Sequence, residues 1–143
     1  MIIDIKDVFQ GRKRYFIDKN GKYDGTYLSL YSNGNLWVRT TYKNGKEHGP
    51  YRSYHSNGKL WIEKNYKNKK CHGTYRSWDL NGNLWNETRY KNGKEDGIFR
   101  SWYPNGKLWI EGNRKNGKYY GLFRSWDSNG KLVLEVNHKN GLK

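Results

Sequence analysis

The chain is predicted to be all-β: a single-layer antiparallel meander of repeated β-hairpins, with about 10–12 strands. Three observations carry this. The segment Gly49-Pro50-Tyr51-Arg52-Ser53-Tyr54-His55-Ser56-Asn57-Gly58-Lys59-Leu60-Trp61-Ile62-Glu63 returns from Gly73, Gly97 and Gly121, and more loosely from Gly25, each time 24 residues on and without insertion. Asn-Gly recurs inside it at Asn33-Gly34, Asn57-Gly58, Asn81-Gly82, Asn105-Gly106 and Asn129-Gly130, flanked by aromatic and β-branched residues mixed with polar ones. Finally, only 34% of the 143 residues are apolar, and much of that is Trp and Tyr, which suits an array burying surface between neighbours better than a thick two-layer core.

Asn-Gly tolerates the two positive φ angles of a type I′ turn, so Asn57-Gly58 is expected to be a two-residue loop. Counting outwards pairs Tyr54 with Trp61, Ser53 with Ile62 and Arg52 with Glu63; later units pair Trp78 with Trp85 and Trp102 with Trp109. The second turn of each unit, as in Lys43-Asn44-Gly45-Lys46, must be centred between Gly45 and Lys46 if the sheet is not to shear. One row then runs Leu30, Trp37, Tyr54, Trp61, Trp78, Trp85, Trp102, Trp109, Trp126, Val133. Beside it runs Arg39, Arg52, Glu63, Arg76, Glu87, Arg100, Glu111, Arg124, Glu135. Leu60, Ile62, Leu108 and Ile110 are expected on the opposite face with Tyr51, Tyr75, Phe99 and Phe123.

Residues 1–17 depart from the repeat and are expected to form a degenerate hairpin capping the first sheet edge; residues 18–143 then hold five hairpin repeats in a single domain. No apolar run approaches membrane-spanning length, and Met1-Ile2-Ile3-Asp4-Ile5-Lys6 is too short and charged for a signal peptide. Cys71 is the lone cysteine, which fits a reducing, cytoplasmic compartment.

Gly-x-Tyr-Arg-Ser-Trp-x-x-Asn-Gly-Lys-Leu-Trp-x-Glu, joined by Tyr-Lys-Asn-Gly-Lys-x-x-Gly, resembles a MORN repeat over roughly residues 18–143. It is most similar to the variant of antitoxin-like bacterial MORN proteins and of giant-virus MORN proteins. The resemblance implies an elongated, twisted hairpin meander serving as a non-catalytic scaffold or binding module, with some members linked to membranes. It also implies the host cytoplasm if the chain is viral, and an antitoxin-like neutraliser of a partner toxin as one alternative. Trp at positions such as Trp61 and Trp85 goes beyond the minimal family pattern.

Catalysis is not expected. Glu63, Glu87, Glu111 and Glu135 fall on alternate strands, about 10 Å apart with an Arg between each pair, which keeps them ionised rather than poised as proton donors. His48 and His72 share a column one unit apart, too far for one zinc ion, so neither a metal nor a cofactor is expected. No small-molecule substrate is implied.

Two surfaces stand out. The aromatic ladder Trp37, Tyr54, Trp61, Trp78, Trp85, Trp102, Trp109 and Trp126 is the expected partner-binding face, for a protein or a second copy of the chain. The net charge of +15 concentrates at one long edge through Lys43, Lys46, Lys67, Lys70, Lys91, Lys94, Lys115 and Lys118, joined by Lys69 and Lys139. That rail fits simple solubility, or attraction to anionic lipid or nucleic acid. The alternating Glu residues disfavour phosphate on the Trp face itself.

Overall fold

The computed structural model describes residues 5–139, and the expectations for residues 1–4 and for Asn140-Gly141 lie outside them. Fourteen antiparallel strands form one sheet, with no helix among the described residues. A leading hairpin comprises β1 (Lys6–Gln10) and β2 (Lys13–Ile17). Then come β3 (Gly25–Leu30), β4 (Leu36–Lys43), β5 (Lys46–Tyr54), β6 (Leu60–Lys67), the two-residue β7 (Lys70–Cys71) and β8 (Gly73–Trp78). The array continues with β9 (Leu84–Lys91), β10 (Lys94–Trp102), β11 (Leu108–Lys115), the short β12 (Lys118–Tyr119), β13 (Gly121–Trp126) and β14 (Leu132–His138). Every strand pairs with its sequence neighbours; β7 and β12 are short lead-ins to β8 and β13 that pair back onto β6 and β11.

Both turns differ from expectation: the two-residue I′ turn falls at the second turn, which is centred between Asn44 and Gly45 rather than between Gly45 and Lys46, and the first turn is longer. Asn44 and Gly45 have φ of 52° and 77°, so the positive-φ pair sits at the second turn, with Lys43 facing Lys46. At Asn57-Gly58 only the glycine has positive φ (89°). There the Gly58 N–H donates to the His55 carbonyl and the His55 N–H to the Lys59 carbonyl, making Ser56-Asn57-Gly58 a three-residue loop. Two bonds hold Asn57 in this state. Its Oδ1 accepts the Lys59 N–H at 2.9 Å, and its Nδ2 donates to the Leu80 carbonyl of the next repeat at 2.9 Å. The same loop forms at Asn81-Gly82 and Asn129-Gly130 without that inter-repeat bond, where Asp79 Oδ1 and Asp127 Oδ1 accept the loop N–H groups. Side-chain-to-backbone bonds within the loop thus select this geometry over the I′ preference of Asn-Gly.

A longer loop shifts the pairing, and a bulge restores it. Tyr54 faces Leu60, yet Ser53 faces Ile62 and Arg52 faces Glu63, which leaves Trp61 as the extra residue. The same step pairs Trp78 with Leu84 and Trp102 with Leu108. The expected Tyr54–Trp61, Trp78–Trp85 and Trp102–Trp109 oppositions are therefore corrected. Leu60 and Leu108 move to the face of Tyr54 and Trp102, while Ile62 and Ile110, opposite Ser53 and Ser101, stay on the Tyr51 and Phe99 side. A second irregularity follows each I′ turn. Tyr42 faces Glu47, but Thr40 faces Tyr51, and positive-φ Gly49 lies within the extra length. The two offsets together remove shear, and the Arg/Glu column is straight: Arg39↔Arg52, Arg52↔Glu63, Glu63↔Arg76, Arg76↔Glu87, Glu87↔Arg100, Arg100↔Glu111 and Arg124↔Glu135.

Among the described residues no apolar side chain is fully buried; the buried residues are Ser29, Thr40, Ser53, Ser77, Thr88 and Gly112, small groups at mid-sheet. On their face the rings bridge strands, edge to face for Tyr51 with Tyr66 at 6.1 Å and Tyr75 with Tyr90 at 6.2 Å, and tilted for Phe99 with Phe123 at 6.2 Å. Lys64 Nζ lies 4.6 Å from the Tyr51 ring centre, and the Arg114 guanidinium 4.2 Å from that of Tyr119. Burial among these rings, with Glu47 close to Tyr66 and Glu95 close to Tyr90, pushes both phenols up to about 12.

Candidate functional site: the tryptophan face

The displaced pairing divides the expected single ladder into two columns. One comprises Tyr54, Trp78, Trp102 and Trp126, which end their strands and are half-buried. The other comprises the bulge residues Trp37, Trp61, Trp85 and Trp109, exposed by 44%, 38%, 44% and 41%. Three of the bulge rings lean on the residue that opens their own hairpin loop. Trp37 meets Tyr31 at 5.6 Å, Trp61 stacks on His55 at 5.2 Å, and Trp109 meets Tyr103 at 5.5 Å. The ladder is thus built from own-hairpin contacts rather than from Trp against Trp.

The loop-opening position runs Tyr31, His55, Asp79, Tyr103, Asp127. Where it is aromatic or His, its side chain clasps the next repeat: Tyr31 Oη donates to the Tyr54 carbonyl, Tyr103 Oη to that of Trp126, and a His55 ring nitrogen bonds that of Trp78. Asp79 instead folds back. Its Oδ1 accepts the N–H groups of Asn81 and Asn83, both at 2.9 Å, and chiefly the Asn83 N–H holds its carboxyl below the ordinary carboxylate value. Trp85 consequently lacks the ring that its equivalents lean on, and a hollow of about 430 Å³ opens between Asp79, Trp85, Trp102, Tyr103, Pro104 and Trp109. The structure brings Trp85, Trp102 and Trp109 together here. Asp79, Tyr103 and Pro104 were not anticipated, although the change of residue type at the loop-opening position was visible in the repeat.

Beside the Trp columns the charges are locally neutralised. Arg52 meets Glu63 at 3.0 Å, Arg76 meets Glu87 at 2.7 Å, Arg100 meets Glu111 at 2.7 Å, and Arg124 meets Glu135 at 2.8 Å. Cross-links to the preceding hairpin run from Arg76 to Glu63 at 3.9 Å and from Arg100 to Glu87 at 3.6 Å. Arg39 faces Arg52 and Leu28, so the column begins with a like-charge pair.

The lysine rail lies on the edge formed by the I′ turns. Lys43 directly faces Lys46, Lys67 faces Lys70, Lys91 faces Lys94, and Lys115 faces Lys118. Successive turns are tied by backbone bonds, the N–H of Gly93 donating to the Cys71 carbonyl and that of Gly117 to the Glu95 carbonyl. His72 receives the Asn92 N–H on its ring at 3.3 Å, and burial pushes the Cys71 thiol up, which keeps it protonated. Among the described residues no three His, Cys, Asp or Glu side chains form a metal-binding group, and no helix is long and apolar enough to cross a membrane.

This geometry defines an open array of β-hairpins whose units are tied to their neighbours and which carries a tryptophan face opposite a tyrosine and phenylalanine face. The chain belongs to the MORN repeat family: the family model described as a MORN repeat variant matches residues 23–44, 47–68, 72–92, 95–116 and 119–140. MORN repeats commonly serve as protein- or membrane-binding modules, and the family is generally non-catalytic. No curated protein matches the chain. A solved structure described as "Crystal Structure of TarM" is similar at 13% identity over 79% of this chain and 21% of its own, with a TM-score of 0.30. At that score the overlay carries no argument.

Proposed function

We propose that this chain is a non-enzymatic recognition module whose Trp face binds a protein partner, a second copy of the chain included. The supporting observation is the bulge column Trp37, Trp61, Trp85 and Trp109, which sets four large rings on one face at about two-fifths exposure, while no apolar side chain among the described residues is buried. Each such ring can bury roughly 150–250 Å² against a partner. The paired Arg/Glu column beside it supplies a polar rim whose charges are already satisfied. The leading hairpin β1–β2 serves as a cap on the first edge, and the site of action is the cytoplasm.

A second reading is supported by the lysine rail. Like charges directly opposite one another destabilise a sheet, yet four of these turns carry them. An anionic membrane or nucleic acid laid along that edge would relieve the repulsion. The antitoxin-like alternative rests on family resemblance alone. Salt separates the two surfaces: binding through the Trp face persists between 50 and 500 mM NaCl, whereas capture of anionic vesicles or polynucleotide through the rail falls steeply. Changing Lys43, Lys46, Lys91 and Lys94 together to Glu should abolish the second and leave the first. If the unaltered chain binds neither vesicle nor polynucleotide at low salt, the rail is a solvated edge.

A further inference from the structure

The hollow at Asp79 differs from the rest of the Trp face in shape and in sign. Its lining residues are Asp79, Trp85, Trp102, Tyr103, Pro104 and Trp109, with Asp79 the one charged residue among them. Another hollow, beside Leu30 and Trp37, carries Arg12 and Lys13 instead, and a third is lined by Arg100, Glu111 and Arg124 with no aromatic residue. The final repeat also has an aspartate at the loop-opening position, Asp127, but Val133 replaces its bulge tryptophan, so that unit lacks the matching aromatic wall.

We propose that the Asp79 hollow is an aromatic cage for the methylated ammonium end of a lysine side chain on the partner protein. This deepens the Trp-face reading above, on which it rests, by assigning the chemistry of one occupant. Ring faces carry negative quadrupole charge and attract a cation placed over them, Trp most strongly. A carboxylate at the margin adds a formal counter-charge. Asp79 Oδ1 is occupied by the Asn81 and Asn83 N–H groups, while Oδ2 has only the Asn83 Nδ2 contact, at 3.4 Å, and keeps acceptor capacity. The chain as a whole is strongly cationic, with a net charge of +15, and repels cations at a distance. A gain must therefore come from short-range contact. An unmodified ammonium is strongly hydrated and gives up little water to an open hollow. A methylated one is a weakly hydrated cation with an apolar skin, which matches indole walls beside a carboxylate.

The test is titration of the full chain with a Gly-Ala-Lys-Ala-Gly peptide whose lysine is trimethylated. It is set beside the same peptide carrying the neutral tert-butyl isostere, and followed by Trp fluorescence and calorimetry. The trimethylated peptide should give saturable binding, and the isostere should bind about fivefold or more weakly, the scale of a cation–π contact. Asp79→Asn keeps an oxygen for the Asn81 and Asn83 N–H groups, so it should weaken binding about fivefold in a protein that remains folded by circular dichroism. Asp79→Tyr supplies the ring that Tyr103 gives Trp109, fills the hollow and should abolish binding in a folded protein. Equal affinity for the isostere, no saturable signal, or an Asp79→Tyr variant that binds like the parent would overturn the proposal. If the peptide fails while Trp85→Ala with Trp102→Ala still removes the natural partner, the Trp-face reading stands and the cation assignment alone falls.

Discussion

Arg76 donates from Nε to Glu87 at 2.7 Å across its own hairpin and reaches Glu63 of the preceding hairpin at 3.9 Å. One guanidinium thus joins two repeats, and Arg100 does the same between Glu111 and Glu87. The Arg76 side chain is 41% exposed and that of Glu87 is 20% exposed, so the pair belongs on the modest scale of solvent-screened contacts. A double-mutant cycle of Arg76→Ala and Glu87→Ala, read by urea unfolding, should give a coupling of about 0.5–1 kcal/mol that shrinks in 1 M NaCl. A coupling indistinguishable from zero at low salt would mean the column sets register without adding stability.

Lys69 occupies a glycine's place. Its φ is 73° at the second position of the I′ turn, where the equivalent turns have Gly45, Gly93 and Gly117 at 77°, 85° and 83°. A side chain in the left-handed region costs about 1 kcal/mol or more. Lys69→Gly should therefore stabilise the array by about 0.5–1 kcal/mol, raising the melting temperature by roughly 2–4 °C. A drop in melting temperature would show that the Lys69 side chain makes a compensating contact.

Gly82 has φ of 89°, and a Cβ placed there would meet only Lys59 Cδ, at 3.7 Å. Space is adequate, so the penalty for a side chain is conformational. Gly82→Val should destabilise by more than about 1 kcal/mol in thermal unfolding. A neutral result would contradict the αL glycine of the three-residue loop.

Tyr66 and Tyr90 set the alkaline limit. Burial chiefly, with Glu47 or Glu95 adding to it, lifts their phenols from 10.0 to about 12. A folded pKa above the unfolded one means that the neutral phenol stabilises the fold fully below pH 10, and that this stability is lost as pH rises through about 12. Absorbance at 295 nm should show a late-ionising group of tyrosines, coincident with unfolding, to which Tyr42 and Tyr75 also belong because burial raises them too, and Tyr66→Phe with Tyr90→Phe should shrink that late phase. If all tyrosines ionise together near pH 10 in a still-folded chain, the ring face is more open than described here.

Much of the fold was legible because a period of 24 residues without insertion admits few registers. The Arg/Glu column follows from requiring no net shear, and it holds from Arg52↔Glu63 to Arg124↔Glu135. The turn geometries were not legible. The loop at Asn57-Gly58 and its equivalents is set by a side-chain oxygen, of Asn57 or of Asp79 and Asp127, accepting N–H groups within the loop, a competition that the Asn-Gly rule alone does not contain. The longer loop forces a compensating bulge at Trp61 and thereby moves Trp78 from opposite Trp85 to opposite Leu84. The Asp79 hollow was concealed for a related reason. It arises from a ring that is absent from one repeat, and motif reading attends to residues that recur.

Under the function proposed above, the Trp columns form a binding face and not a core. The most direct measurement is the Trp85→Ala with Trp102→Ala double variant, followed by far-ultraviolet circular dichroism beside pull-down and sedimentation velocity. Trp85 is 44% exposed, and the hairpins are held by backbone ladders, inter-repeat clasps and the opposite ring face. A folded variant that has lost its partner or its self-association is the expected result. A variant that unfolds outright would show the Trp columns to be core, and one that stays folded and keeps its partner would contradict the aromatic face as the binding surface.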